Sequence, residues 1–496
     1  IFIYGILLIL VLSFIFNFFG ISVKDPRPES FPGRTADGII SAKSLLNEEG
    51  IRYILTTLIP NFISFAPLGT VLISMIGMGI AEKSGLIEAS LKGLVQISSK
   101  RIITAIVVFA GIISNMAAEV GYIVLIPLGA MVFHSFGKHP IAGLGAAFAG
   151  VSGGYSANLL LGSVDPLLAG ISQEAARFLA PGYHVGAESN WYFMFASVFL
   201  ITILGTIVTE KIIEPMLGSY TSNQKEDITD FTQISKLEKK GLLFSGLFTV
   251  LFFIVLFLSI YPGKGILLNQ KTMSLTASPF FASIVSFIFI FFAVNGIIYG
   301  FITNKFTKLN DIVNAMQSAM ATLSGYIILA FFMAQFINYF AYTKLGIIFA
   351  ISLADLVKQI GLSGSLFLVA FIFIIGFINL FMGSASAKWA LLAPIFIPMF
   401  MLIGYSPELT QLAYRIGDSS TNIISPLMSY VPLIILAANK YIKDFGLGNL
   451  ISLMFPYSVV FLIFWSVFLY VWVFLIGLPI GPEVESTFTI SNIVTN

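Results

Sequence analysis

Three observations predict the fold class of this chain: an all-α polytopic membrane protein with about nine transmembrane helices, two opposed re-entrant helical hairpins, and broken helices in an inverted-repeat architecture. First, the 496 residues are 57% hydrophobic and only 10% charged, with a mean hydropathy of +0.95, more apolar surface than a water-soluble core can hide. Second, two distant stretches register at an offset of 267 positions, which carries Gly150 onto Gly417. Leu125, Pro127, Phe133, Gly137, Pro140, Ala146, Gly150 and Ser152 then fall on Leu392, Pro394, Phe400, Gly404, Pro407, Ala413, Gly417 and Ser419. Third, each copy interrupts its apolar run with a glycine- and serine-rich break, GVSGGYSANLLLGSVDP from Gly150 to Pro166 and GDSSTNIISP from Gly417 to Pro426. Paired breaks of this kind point to a substrate site near the midplane of a transporter.

At roughly 20 apolar residues per crossing, spans are predicted at 1–23, 54–80, 140–172, 191–213, 242–262, 278–302, 322–342, 410–440 and 449–480. The first is too long and too aromatic for a signal-peptide core and reads as a spanning helix. Two further apolar stretches, about 102–137 and 365–403, have polar centres, SNMAAE at 114–119 and NLFMGSASAK at 379–388. Each is read as a hairpin whose polar tip is buried in protein rather than lipid. One integral membrane domain, 1–496, is therefore expected. Its first repeat core is 54–172 (hairpin 102–137, broken helix 140–172), and its second is 322–440 (hairpin 365–403, broken helix 410–440).

Lys83, Lys92, Lys100, Arg101, Lys236, Lys239 and Lys240 share one side when the N-terminus is placed in the cytoplasm, which favours that orientation. The hairpins then enter from opposite faces. Segment 216–241 is a polar cytoplasmic connector, 304–320 has the spacing of an amphipathic surface helix, and 481–496 reads as a mobile external tail.

Composition also excludes function classes. A formal charge of +2 offers no basic patch for nucleic acid. Zero cysteines remove thiolate and iron–sulfur chemistry, and His134, His139 and His184 lack metal-ligand spacing. With no nucleophile–base pair or paired carboxylates, an intramembrane hydrolase is disfavoured and the protein is read as a non-enzyme. An ion channel would need a continuous pore lined by repeated rings of charge or carbonyls, which closed hairpins do not supply.

An ionisable group at the centre of a membrane helix costs about 2.5–3.5 kcal/mol, which makes Glu119, Asp165, Lys388, Arg415 and Asp418 candidates for function. Asp418 follows Gly417 in the second break. Together with Asn379 at the hairpin tip it offers the hard oxygens that suit sodium. An Arg415–Asp418 pair one helical turn apart is the structural alternative. The first repeat has Val151 where the second has Asp418, so either a cation there relies on backbone carbonyls near Gly153 with Asn115, Ser152 or Asn158, or only the second half binds one. Asp165 precedes Pro166, and either ends a helix or carries a proton or counter-charge beside the site. Trp389 is either an interfacial anchor or, if the tip turns inward, a stacking surface for an aromatic ligand.

The strings AGVSGGYSANLLLGSVDPLLAG (149–170), GSASAKWALLAPIFIPMF (383–400) and AYRIGDSSTNIISPLMSY (413–430) closely resemble the p-aminobenzoyl-glutamate transporter (AbgT) family, over about 54–480. The resemblance implies a bacterial inner-membrane, multi-pass homodimer of nine-span protomers, each moving its own substrate. It implies import of p-aminobenzoyl-glutamate or export of sulfonamide-type antimetabolites, driven by a sodium or proton gradient with no organic cofactor. It places the family's functional Asp, Trp, Pro and Arg on Asp165, Trp389, Pro407 and Arg415, and its sodium-contacting Asn and Asp on Asn379 and Asp418. Asn158 and Lys388 join the transport candidates. The expected function is a cation-coupled secondary transporter of a small aryl substrate, with export preferred; a sodium-coupled dicarboxylate importer is the alternative.

Overall fold

A computed structural model describes residues 1–29, 31, 34–96, 99–115, 121–220, 234–275, 278–361 and 364–489. Glu119 and most of the first hairpin's polar centre lie outside the described residues, as does 221–233 of the connector. Among the described residues the secondary structure is helical, apart from one antiparallel ribbon that pairs Ser22–Lys24 with Ile39–Ser41 and a single antiparallel bridge between Tyr405 and Thr487, which docks 486–488 of the expected tail against the chain after Gly404.

The helices are inside-out by the standard of a soluble protein. Lys236–Ser259 buries Gly241, Ser245 and Ser259 while leaving Leu243, Leu247, Val250, Leu251 and Ile254 largely exposed. Small residues on the inner face let helices approach closely, and lipid solvates the large ones. Seven described helices are long and apolar enough to cross a membrane: Glu48–Lys83, Trp191–Leu217, Lys236–Ser259, Ile284–Ile302, Ser324–Tyr342, Ala385–Ile403 and Leu447–Leu475. Counting the bent pair Leu345–Ile360 and Gly364–Asn379 as one span makes eight.

The predicted nine differ for physical reasons. The first helix, Phe2–Phe18, has only 17 residues, and 140–172 leaves helix after Gly153. The second expected break is displaced: Gly417 and Asp418 lie inside the continuous helix Pro407–Asn422, and 410–440 is divided only after Asn422. Ala385–Ile403, read as a hairpin arm, is by itself long enough to cross. Leu345–Ile360 and Leu86–Gln96 were not anticipated, because Asp355 and Lys358 in one, and Glu88 and Lys92 in the other, interrupt the apolar run.

Eight helices form the two site-bearing units. The first contains α1 (Ile103–Ser114), α2 (Ile126–Ser135), α3 (Pro140–Phe148) and α4 (Val164–Ala176). The second contains α5 (Gly364–Asn379), α6 (Ala385–Ile403), α7 (Pro407–Asn422) and α8 (Val431–Ala438). The residues that register in sequence do the same local work in both. Gly137 (φ +69°) follows α2 and Gly404 (φ +105°) follows α6, a left-handed backbone that glycine adopts without a Cβ penalty. Three residues later, Pro140 and Pro407 open α3 and α7, where a missing N–H costs nothing. Ser406 Oγ caps α7 by accepting from Leu409 N at 3.3 Å.

Gly150 and Gly417 serve a second shared purpose, close backbone approach to the arm of a hairpin. A Cβ on Gly150 would lie 2.3 Å from the carbonyl oxygen of Val108 in α1. One on Gly417 would lie 2.4 Å from that of Ile372 in α5. The two glycines thus seat each broken helix directly on its own hairpin.

Candidate substrate and cation site

Four of the costly charges, Asp165, Lys388, Arg415 and Asp418, gather where the two units meet, and they pair differently from the local expectation. Arg415 does not pair with Asp418. Its NH2 nitrogen lies 2.8 Å from Asp165 Oδ1, with the side chains 1% and 3% exposed, and it also donates to the Ser156 carbonyl at 3.0 Å. Asp165 Oδ2 accepts from Gly162 N at 2.7 Å and from Asn158 Nδ2 at 3.2 Å. This pair joins the first turn of α4, just after the break of the first unit, to the interior of α7 in the second. Arg415 Nε and Asn158 Oδ1 are buried without a hydrogen-bond partner.

Asp418 turns instead toward the second hairpin. Its Oδ1 lies 2.6 Å from Lys388 Nζ in an ion pair with side chains 2% and 0% exposed. Lys388 Nζ also donates to Asn379 Oδ1 and, more weakly, to the Met382 carbonyl at 3.4 Å. The Asn379 amide is oriented by its other end, since Nδ2 lies 2.8 Å from the Asp418 carbonyl, 3.0 Å from Thr421 Oγ1 and 2.8 Å from Asn422 Oδ1. Ser425 Oγ donates to the Asn379 carbonyl at 3.0 Å, tying the end of α5 to the second break. Asn379 and Asp418, predicted to hold a cation together, thus present their oxygens to one point, and that point holds the Lys388 ammonium.

Trp389 is fully buried, and its face is stacked on Tyr414 with centroids 4.3 Å apart. Tyr414 OH donates to the Ala385 carbonyl at 2.5 Å. Trp389 Nε1 donates to Ser172 Oγ at 2.9 Å, Ser172 donates to Gln411 Oε1 at 2.7 Å, and Gln411 Nε2 donates to Asn190 Oδ1 at 2.8 Å. The indole is neither an interfacial anchor nor part of the cavity wall; it is the end of a buried polar chain that locks α6 to α4 and α7. Pro407 is buried at the first turn of α7.

A cavity of about 370 Å³ lies between the two breaks and the second hairpin tip. Asn115, Tyr122, Tyr155, Ser386, Asn422 and Tyr430 are among its lining residues. Tyr122 and Tyr430, one from each unit, stack at 4.2 Å with planes 9° apart. Asn115 Nδ2 is buried with no partner. The other residues predicted for a cation in the first unit are not drawn together: Ser152 Oγ faces Met428 Sδ at 3.5 Å, and Gly153 packs under the Phe461 ring. No group of three or more His, Cys, Asp or Glu suited to a metal occurs among the described residues. The three tyrosines and the Trp389–Ser172–Gln411–Asn190 chain escaped sequence reasoning, because 18 tyrosines and 49 phenylalanines make a single aromatic residue uninformative.

Residues 1–488 match the model of the AbgT putative transporter family. The p-aminobenzoyl-glutamate transport protein of Escherichia coli (strain K12) is 37% identical over 484 residues, covering 97% of this chain and 93% of that protein. The YdaH transporter of Alcanivorax borkumensis, whose crystal structure is described as having an unusual topology, superposes with a TM-score of 0.90 at 41% identity over 97% of this chain and 99% of that one. MtrF of Neisseria gonorrhoeae, described as illuminating a class of antimetabolite efflux pumps, superposes with a TM-score of 0.91 at 52% identity over 98% and 96%.

Proposed function

This chain belongs to the AbgT family of membrane transporters, and we propose that it is a cation-coupled secondary transporter of p-aminobenzoyl-glutamate or sulfonamide-like aryl antimetabolites, working by alternating access with export as the preferred direction. The observation that carries the reading is the tyrosine-lined cavity at the junction of the two units. Its volume lies in the range of small-molecule sites, and aromatic walls with a few convergent polar groups suit a benzoyl or sulfanilyl ring. Asn115, Ser386 and Asn422 supply hydrogen-bonding groups to the same cavity.

The proposed coupling site is the Asn379–Asp418 oxygen set, for sodium or a proton. In the proposed cycle, Asp165 and Arg415 hold the two units together on one side of it, and Asn158 and Gly162 fix the Asp165 carboxylate. The Arg415 guanidinium spends one nitrogen in that pair and keeps an unpartnered Nε, which supports a role for it in recognising an anionic substrate group. The working unit is proposed to be a homodimer in a bacterial inner membrane.

Direct binding tests the substrate reading. Tyr155→Ala is expected to weaken binding of p-aminobenzoyl-glutamate, and of a sulfonamide, to the purified protein by about tenfold through lost ring contact. Unchanged affinity for both ligands in Tyr155→Ala and Tyr430→Ala would place the aryl site elsewhere.

A further inference from the structure

The oxygens proposed for a coupling cation already hold a cation that belongs to the chain. Lys388 Nζ contacts Asn379 Oδ1 and lies 2.6 Å from Asp418 Oδ1, and neither charged side chain is more than 2% exposed. We infer that the Lys388 ammonium is the resident cation of the Asn379–Asp418 site in this conformation, and that sodium and Lys388 occupy the site by turns. The inference rests on the proposal that Asn379 and Asp418 form the coupling site.

Charge balance is the first reason. Among the described residues the buried centre contains Asp165 and Asp418 against Arg415 and Lys388, two negative charges and two positive. Asp165 is committed to Arg415, so among the described residues Asp418 is the carboxylate of this centre left for a cation. Adding sodium while Lys388 stays would leave a net positive charge in a desolvated interior, where unpaired charge is strongly disfavoured. The second reason is space. A sodium ion needs both oxygens at about 2.3–2.5 Å, the range of hard-cation contacts, and the ammonium stands in contact with the same two atoms.

The third reason is that Lys388 has somewhere to go. It sits in the first turn of α6, within three residues of Ala385 and Ser386, which line the 370 Å³ cavity. Its four-carbon stem is flexible, unlike the planar fork of an arginine. Sodium entry therefore exchanges a tethered cation for a free one and moves positive charge toward the cavity wall. The cation site and the cavity are linked by one side chain.

The test is thermal unfolding of the purified full-length protein, titrated with sodium chloride against choline chloride at equal ionic strength. A ligand stabilises only through the site it occupies, so the sodium concentration giving half the stabilisation reports affinity. Lys388→Met is expected to respond at sodium concentrations at least about tenfold lower than wild type, because the internal competitor is gone. Adding Asp418→Asn to that variant is expected to abolish the response. Lys388→Gln carries the same test with a neutral donor kept beside Asp418, in case the Met variant does not fold. Equal midpoints in wild type and the neutral variants would overturn the alternation while leaving the sodium site standing. A folded neutral variant with no sodium response would overturn the site itself, and the inference with it.

Discussion

Replacing Asp165 with Asn should destabilise the protein by about 3–5 kcal/mol, the usual consequence of leaving one member of a buried ion pair without its partner. The geometry explains why the isosteric amide does not rescue the site. Asp165 uses both carboxylate oxygens as acceptors, Oδ1 toward Arg415 at 2.8 Å and Oδ2 toward Gly162 N and Asn158 Nδ2 at 2.7 and 3.2 Å. An Asn presents one oxygen and one NH2, so a donor must face either the guanidinium or the Gly162 N–H. Arg415, 1% exposed, then keeps a full charge with only the Ser156 carbonyl beside it. Arg415→Met should lose a similar amount by stranding the Asp165 carboxylate. The double variant Asp165→Leu with Arg415→Met should recover part of the loss, because it removes both charges. Gly162 N–H and the Ser156 carbonyl would stay unsatisfied, at about 1–3 kcal/mol each. Thermal and denaturant unfolding of wild type, Asp165→Leu, Arg415→Met and the double variant forms a double-mutant cycle, and transport should fail in Asp165→Asn, Asp165→Leu and Arg415→Met. A single-variant loss below about 1 kcal/mol, or strict additivity of the two, would refute a coupled buried pair.

Gly417→Ala should destabilise by about 1–3 kcal/mol through overpacking, since its Cβ would stand 2.4 Å from the Ile372 carbonyl oxygen; Gly150→Ala should behave alike, and melting temperatures at wild-type level for both would refute the close-approach role. Glu188 lies in the loop before Trp191–Val208, and burial, opposed by a backbone hydrogen bond and helped by the Glu483 charge, pushes its carboxyl up to about 7 from 4.5. The folded state therefore holds a proton that the unfolded chain has released, so this residue's contribution to stability should be full below pH 4.5 and be lost as pH rises through about 7. Glu188→Gln should flatten that part of the melting-temperature profile; an unchanged slope between wild type and variant would count against the burial.

The repeat was legible in the sequence because its shared residues are backbone devices. Gly137 and Gly404 need a left-handed turn, Pro140 and Pro407 start helices, and Gly150 and Gly417 need contact with a neighbouring backbone. Such requirements are local, so residue type alone records them. The charged residues were legible for a related reason: each is expensive in an apolar segment. Their pairing was not. Arg415 and Asp418 are one turn apart, yet Arg415 meets a residue 250 positions away and Asp418 meets Lys388 across the hairpin. Helical spacing describes neighbours on one helix, whereas these partners are set by how two hairpins and two breaks dock. The cavity tyrosines come from three such segments and leave no spacing to read. Residues 345–360 show the opposite error, a buried helix hidden because Asp355 and Lys358 resemble a loop.

Uptake or extrusion of labelled p-aminobenzoyl-glutamate by sealed proteoliposomes, with sodium and proton gradients imposed one at a time, tests cation-coupled transport through this site most directly. The account predicts accumulation above equilibrium only while one of those gradients is present, loss of that accumulation in Asp418→Asn, and a tyrosine-cavity variant that lowers apparent affinity without uncoupling. Equilibration at the same rate and to the same level with and without either gradient, unaltered in Asp418→Asn, would contradict it.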